Sequence, residues 1–182
     1  DGFITSGGQK MSKSLGNVIS PFDVIKAFEG YAMFPEDVLR FVLLHDVPSF
    51  EDGDLTMENV KVSYAAHLQN GIGNLTSRIM KMATTHLVGA VDLPINNETE
   101  RHLSGHMEGY DLKRGVEYIM KLVTELDAYI QKTEPFKVVK SDPEQGKILV
   151  KECVWKLATI ARDLHIFLPR TAEEIQRLIS EH

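Results

Sequence analysis

The densest chemistry in this chain lies in one loop framed by glycines. Between Gly7-Gly8 and Gly16 runs Gln9-Lys10-Met11-Ser12-Lys13-Ser14-Leu15. Two ammonium groups and two hydroxyls on a flexible loop suit a polyphosphate. Backbone and hydroxyl groups can orient the anion, while the lysines meet the negative charge that gathers on a pyrophosphate leaving group. An isolated Lys-x-x-Lys is ordinarily a solvated loop, but the full string is far more specific. A second group has helical spacing. Asn70, Asn74 and Arg78 recur in steps of four, which on a helix makes one polar stripe about 12 Å long at ~1.5 Å per residue. An amide can pair with a base edge and a guanidinium can pair or stack, the usual means of reading unstacked RNA bases. The plainer reading of this stripe is a solvated helix face. Gly71 and Gly73 within it cost roughly 1 kcal/mol each relative to alanine, and permit close approach of a backbone or base.

Helices must position these groups. Ser20-Pro21-Phe22-Asp23 offers an N-cap, a proline at the first helical position and a carboxylate at the third, opening a short helix that ends at Gly30. Pro35-Glu36-Asp37 opens another through Leu44, and the acidic stretch Glu51-Asp52-Gly53-Asp54 lacks calcium-ligand spacing and reads as a turn. Thr56 caps a long helix over about 57–87, with Tyr64, Leu68, Ile72, Leu75, Ile79 and Met82 within one quarter of its circumference. After Leu93-Pro94-Ile95-Asn96-Asn97 a weaker helix is expected over about 98–108. A strong one follows over about 111–133, with Leu112, Val116, Ile119, Leu122, Val123, Leu126 and Ile130 on its apolar side and Pro135 ending it. Asp142-Pro143-Glu144 caps a helix to about 167 whose stripe includes Ile148, Leu149, Val154, Leu157, Ile160, Leu164 and Phe167. Trp155 stands at core spacing, and Thr171-Ala172-Glu173-Glu174 reads as a capping box for the last helix. The expected fold is therefore mainly α: a helix bundle with three long and two short members, preceded by a short loop and strand and a helical linker module.

Composition sets outer limits. With 43% hydrophobic and 25% charged residues over 182 positions, the chain can fill one sizeable core plus a small appendage. No apolar run reaches the roughly 18 residues of a membrane span and no signal peptide is present, so no membrane partner is expected. Cys153 is the single cysteine, which excludes an internal disulfide and a cysteine-based zinc site. His102 and His106 are four apart without an evident third ligand, and no metal site is expected. The net charge of −6 requires any nucleic-acid contact to come from a local patch. The chain begins at Asp1 with an apolar run ending in turn residues, which reads as the end of a strand pair in a longer protein.

Lys10-Met11-Ser12-Lys13-Ser14 resembles the signature pentapeptide of class I aminoacyl-tRNA synthetases, and Leu15-Gly16-Asn17-Val18-Ile19-Ser20-Pro21 continues it as in the methionine, isoleucine, leucine and valine enzymes. The leader Gly2-Phe3-Ile4-Thr5 ahead of Gly8-Gln9-Lys10 is similar to the methionyl branch. That resemblance implies an ATP-binding loop of Lys10, Met11, Ser12, Lys13 and Ser14, with Lys10 and Lys13 catalytic in stabilising the phosphates during adenylate formation. Asn70-Gly71-Ile72-Gly73-Asn74-Leu75-Thr76-Ser77-Arg78 is similar to the methionyl anticodon helix, which implies recognition of a CAU anticodon by Asn70, Asn74 and Arg78. Glu134-Pro135-Phe136-Lys137 stands where that branch usually has Pro-Trp, so Phe136 would stack on an anticodon base unless it merely plugs the bundle.

Two further departures are the long Gly30–Pro35 turn before Asp37-Val38-Leu39-Arg40, and Asp127-Ala128 where the branch often has an asparagine before Tyr129-Ile130. The resemblance implies residues 1–55 as the end of a catalytic domain and residues 56–182 as an α-helical anticodon-binding domain. It further implies a cytoplasmic or organellar methionine–tRNA ligase with tRNA(Met), methionine and ATP with Mg2+ as partners. The 182 residues alone are expected to bind no ATP and activate no amino acid. The rival readings are an isoleucyl or valyl enzyme, and a stand-alone RNA-binding helical module.

Overall fold

A computed structural model describes residues 2–48, 51–89, 91, 103, 105, 107 and 111–181. The loop expected at 93–97 and the His102/His106 pair lie outside the described residues, as does most of the helix expected over 98–108. Within that stretch Leu103 is buried and the Met107 N–H donates to its carbonyl, one helical turn away.

The chain opens with a small sheet. Strands β1 (Ile4–Ser6) and β2 (Gln9–Lys10) pair antiparallel with Thr5 opposite Lys10 and Ser6 opposite Gln9. The two-residue turn needs positive φ at both positions, which Gly7 (62°) and Gly8 (72°) supply. The acidic stretch is not a plain turn. Gly53–Asp54 forms β3, parallel to β1, and the carboxylates on either side of Gly53 anchor the hairpin. Asp52 accepts from the Phe3 N–H at 2.8 Å, and Asp54 accepts from both the Gly8 N–H and the Thr5 hydroxyl at 2.8 Å. Those bonds, first the Gly8 N–H and then the Thr5 hydroxyl, hold the Asp54 carboxyl below its ordinary value. A Cβ at position 53 would lie 2.7 Å from the Pro48 ring, so only glycine lets this strand reach β1.

Local signals set most helix starts. Helix α1 (Pro21–Phe28) carries the expected capping box, Ser20 N–H to Asp23 at 2.9 Å and Asp23 N–H to Ser20 at 3.2 Å. Helix α2 (Pro35–His45) starts at its proline. Thr56 caps α3 (Met57–Ser63) through the Asn59 N–H. The helix then continues without a break through Tyr64–Gly73 into α4 (Asn74–His86), but its middle section is π-helical rather than α-helical. The C-terminal half is α5 (Leu112–Thr133), α6 (Pro135–Ser141), α7 (Pro143–Leu164) and α8 (Pro169–Ser180).

Helix α7 is the hub, packing on α4, α5, α6 and α8. It buries Val150, Cys153, Val154, Leu157, Ile160 and Leu164 against a core that includes Ile79, Ala83, Val116, Ile119, Leu126 and Ile130. Each such aliphatic side chain contributes about 1.5–3 kcal/mol by leaving water. No helix among the described residues is long and apolar enough to cross a membrane.

Several expectations need correction. Pro135 does end α5, but it also begins α6, a helix not foreseen; Glu134 makes the corner in the left-handed region (φ 44°). Helices α6 and α7 pack so closely that a Cβ on Gly146 would fall 2.3 Å from the Val139 Cα. Ile148 and Leu112 are exposed rather than in the core stripe, because each sits in the first two turns of its helix, where fewer neighbours reach. Trp155 is half-buried and lines a cleft of about 280 Å3 with Leu122, Tyr129 and Lys156.

Thr171 is not an N-cap. Leu168-Pro169 starts α8 earlier, and Thr171 donates both its N–H (2.6 Å) and its hydroxyl (2.7 Å) to Asp37 of α2. From the same α2 segment, Arg40 Nε donates to the Phe167 carbonyl at 2.7 Å. Asp37-Val38-Leu39-Arg40 is thus a two-point clamp between the N-terminal helices and the turn joining α7 to α8.

Candidate functional site

The lysine loop is held by its own polar groups. Lys10 ends β2, Lys13–Leu15 form a single 3-10 turn, and Gly16 closes that turn at φ 64°. The loop is cross-braced by a residue not singled out from the sequence. The Asn17 side chain accepts from the Ser12 N–H at 2.8 Å and donates to the Lys10 carbonyl at 3.2 Å. An amide offers an acceptor oxygen and a donor nitrogen on one rigid plane, which suits it to bridge two backbone groups in this way. The Ser12 and Ser14 hydroxyls lie 2.7 Å apart, and the Lys10 ammonium sits 5.3 Å from the centre of the Phe3 ring. Both lysines are exposed. The result is a loop of defined backbone presenting two cations and two hydroxyls to solvent, with β1, β3 and Asp54 fixing its base.

The second constellation forms further along the helix that Thr56 caps, in its α4 section. Here α4, α5 and α6 enclose an open groove of about 560 Å3, lined from α4 by Arg78, Lys81, Met82, Thr85 and His86. Ile130 and Gln131 of α5 and Phe136 and Lys140 of α6 complete the lining. Among these lining residues are three permanent cations and no acid. A chain of net charge −6 therefore does concentrate positive charge locally. Phe136 is 38% exposed, with the Lys137 ammonium 5.9 Å from its ring centre, so it is no core plug. Arg78 Nη1 donates to Asp127 of α5 at 2.5 Å.

The structure thus brings Arg78 and Phe136 together and adds Lys81, His86, Gln131 and Lys140 to them. The sequence did carry a signal for part of this: Lys81 and Thr85 follow Arg78 at helical spacing, and Lys140 follows Phe136 by four. Asn70 and Asn74 are exposed on the preceding turns and do not line the groove.

The segment just before Arg78 is π-helical, and the Asn74 N–H reaches back five residues to the Gln69 carbonyl. The glycines serve this coil. A Cβ at Gly73 would lie 3.0 Å from the Leu68 carbonyl and one at Gly71 3.4 Å from that of Ala66. Their close approach is to the helix's own backbone.

Comparison with known proteins finds relatives along nearly the whole chain. Residues 1–80 match the family described as tRNA synthetases class I (M). The methionine–tRNA ligase of Rhizobium meliloti is 29% identical over 98% of this chain and 36% of its own length. That of Campylobacter jejuni is 32% identical over 96% of this chain and 29% of its own length. Among solved structures, Mycobacterium tuberculosis methionyl-tRNA synthetase bound by methionyl-adenylate superposes with a TM-score of 0.80 at 23% identity, covering 96% of this chain and 36% of that one. The apo form of the same synthetase gives 0.75 at 19% identity, so the shared fold extends well beyond the residues the family match covers. The chain spans about a third of the length of the relatives it matches; residues 1–80 carry the match to the class I (M) tRNA synthetase family, and the similarity to methionine–tRNA ligases runs along nearly the whole chain.

Proposed function

We propose that this chain is the part of a methionine–tRNA ligase that steadies ATP's phosphates and reads the tRNA anticodon. Residues 1–55 carry the end of the catalytic domain, and residues 56–182 form the anticodon-binding domain. In the complete enzyme methionine and ATP give methionyl-adenylate and pyrophosphate, and the methionyl group then passes to tRNA(Met) with release of AMP. The Lys10 and Lys13 ammonium groups meet the charge that develops on the departing pyrophosphate, while the Asn17 brace keeps the backbone between them in place. Among the described residues no cluster of His, Cys, Asp or Glu is suited to a metal ion.

The observation that carries the reading is the cationic groove. A guanidinium and an aromatic ring from distant parts of the sequence line one open cleft with two lysines, the combination that grips single-stranded RNA by stacking and charge. Asn74 stands one turn from Arg78 on the same helix and extends the site toward Asn70.

The test uses the complete enzyme. Arg78→Ala, Phe136→Ala and Asn74→Ala should each weaken aminoacylation of tRNA(Met) by about 1–3 kcal/mol, with methionine-dependent ATP–pyrophosphate exchange nearly intact. Lys13→Ala should do the reverse, lowering the adenylation rate with methionine KM little changed, because its charge is needed only as the leaving group develops. Loss of exchange in the groove variants, or an effect of Lys13→Ala confined to KM, would refute the assignment.

A further inference from the structure

Arg78 is not a bare cation in the groove. It is ion-paired across the α4–α5 interface with Asp127, and both side chains are partly exposed, at 34% and 45%. The carboxylate stands one helical turn before Ile130 and Gln131, which line the groove. It therefore lies at the groove's edge, next to a lining that is otherwise cationic or neutral. A guanidinium has five donors, and the Asp127 bond takes one and fixes the plane of the rest.

We propose that Asp127 is a specificity-determining positioning residue, holding Arg78 so that the guanidinium addresses an uncharged base and not a backbone phosphate. The inference rests on the anticodon-reading role proposed above. Its physical basis is charge. A phosphate seated on Arg78 would bring a full negative charge beside the Asp127 carboxylate, whereas a base edge brings none. Lys81 and Lys140 remain to take the backbone. The groove then divides its labour: lysines for phosphates, and the Arg78–Asp127 pair with Phe136 for bases.

Salt dependence reads this division directly. Each phosphate neutralised on a single strand adds about −0.7 to the slope of log affinity against log salt concentration. The experiment measures binding of the 182-residue chain to an RNA stem-loop carrying a CAU loop, and to the same stem with a scrambled loop, across a salt series. Asp127→Asn keeps the size and one acceptor but removes the charge. It should steepen the slope for both RNAs by about 0.7 as Arg78 turns to a phosphate. It should also cut the preference for the CAU loop about five-fold, the size of one exposed unit-charge interaction in water.

In the Arg78→Ala background the same substitution should leave the slope unchanged. A steeper slope in that background would place the carboxylate's action on Lys81 or Lys140 and overturn the proposal. An unchanged slope in the single variant, whether affinity holds or falls equally for both RNAs, would reduce Asp127 to a structural tether and overturn it too. Failure of the unaltered chain to prefer the CAU loop is a separate result, which refutes anticodon reading itself and this inference with it. Thermal melting of each variant checks that the bundle is intact.

Discussion

The joint between the N-terminal helices and the bundle offers the sharpest test of the fold. Asp37 is 1% exposed, and one of its oxygens accepts both the N–H and the hydroxyl of Thr171. Helix α8 has no side-chain cap of its own, since Leu168 occupies that position. Asp37 therefore caps α8 from a helix distant in sequence, with its charge at the positive end of the helix dipole. A hydrogen bond to a charged group contributes about 1.5–3 kcal/mol, and an unpaired donor left behind adds to the loss. Asp37→Ala, removing two such bonds, should therefore cost about 3–6 kcal/mol, a large share of the 5–15 kcal/mol typical of a folded domain. In a chain of this length that is a fall in Tm of roughly 6–24 °C. Asp37→Asn keeps an acceptor and should cost about half as much. Urea unfolding followed by far-ultraviolet circular dichroism gives both numbers on the 182-residue chain. A loss under about 1 kcal/mol for Asp37→Ala, or an Asn variant weaker than the Ala variant, would show that the clamp does not hold α8.

Two other measurements follow from particular contacts. Phe136→Trp enlarges a ring that already faces the open groove, so it should preserve or tighten binding to a CAU stem-loop with Tm changed by less than about 4 °C; a large drop without gain in affinity would mean the ring is structural. Burial first, and then the neighbouring His45, push the His67 imidazole below 6.5 despite the opposing pull of Asp46. Folding thus favours neutral His67, and its contribution should be full above pH 6.5 and fade as pH drops through that value toward the lowered one. Tm should fall between about pH 7 and pH 5 in the unaltered chain and fall less in His67→Gln. An equal fall in the two would place the pH dependence elsewhere.

What the sequence conveyed about the fold was local. Ser20 with Asp23, Thr56 with Asn59 and Asp142 with Gln145 each close a helix start within three residues, so a short window contains the whole interaction. What it hid was set by distant partners. Gly53–Asp54 has too few residues for any period and becomes a strand only because β1 lies beside it. Thr171 has the spacing of a local cap, yet its partner is 134 residues away. The π-helical turn preserves the apolar stripe, with Ile72, Leu75 and Ile79 all buried, so hydrophobic periodicity alone could not distinguish it from an α-helix.

The same distinction separates the two halves of the candidate site. The lysine loop was legible in its charged and hydroxyl residues, Lys10 to Ser14, while its brace, Asn17, emerged only with the backbone groups it bonds. The groove was legible only at Arg78 and Phe136, where resemblance supplied the link. Lys81, His86 and Lys140 had no common meaning until α4, α5 and α6 packed around one cleft. Asp127 is the most instructive case. As a single position it was a departure from the usual asparagine, with no consequence readable from its neighbours. Placed 2.5 Å from Arg78, it alters what that guanidinium can bind, because the favoured partner of a paired arginine is no longer the most negative group within reach. A charge substitution at the groove's edge can therefore change its selectivity while the lining residues are untouched.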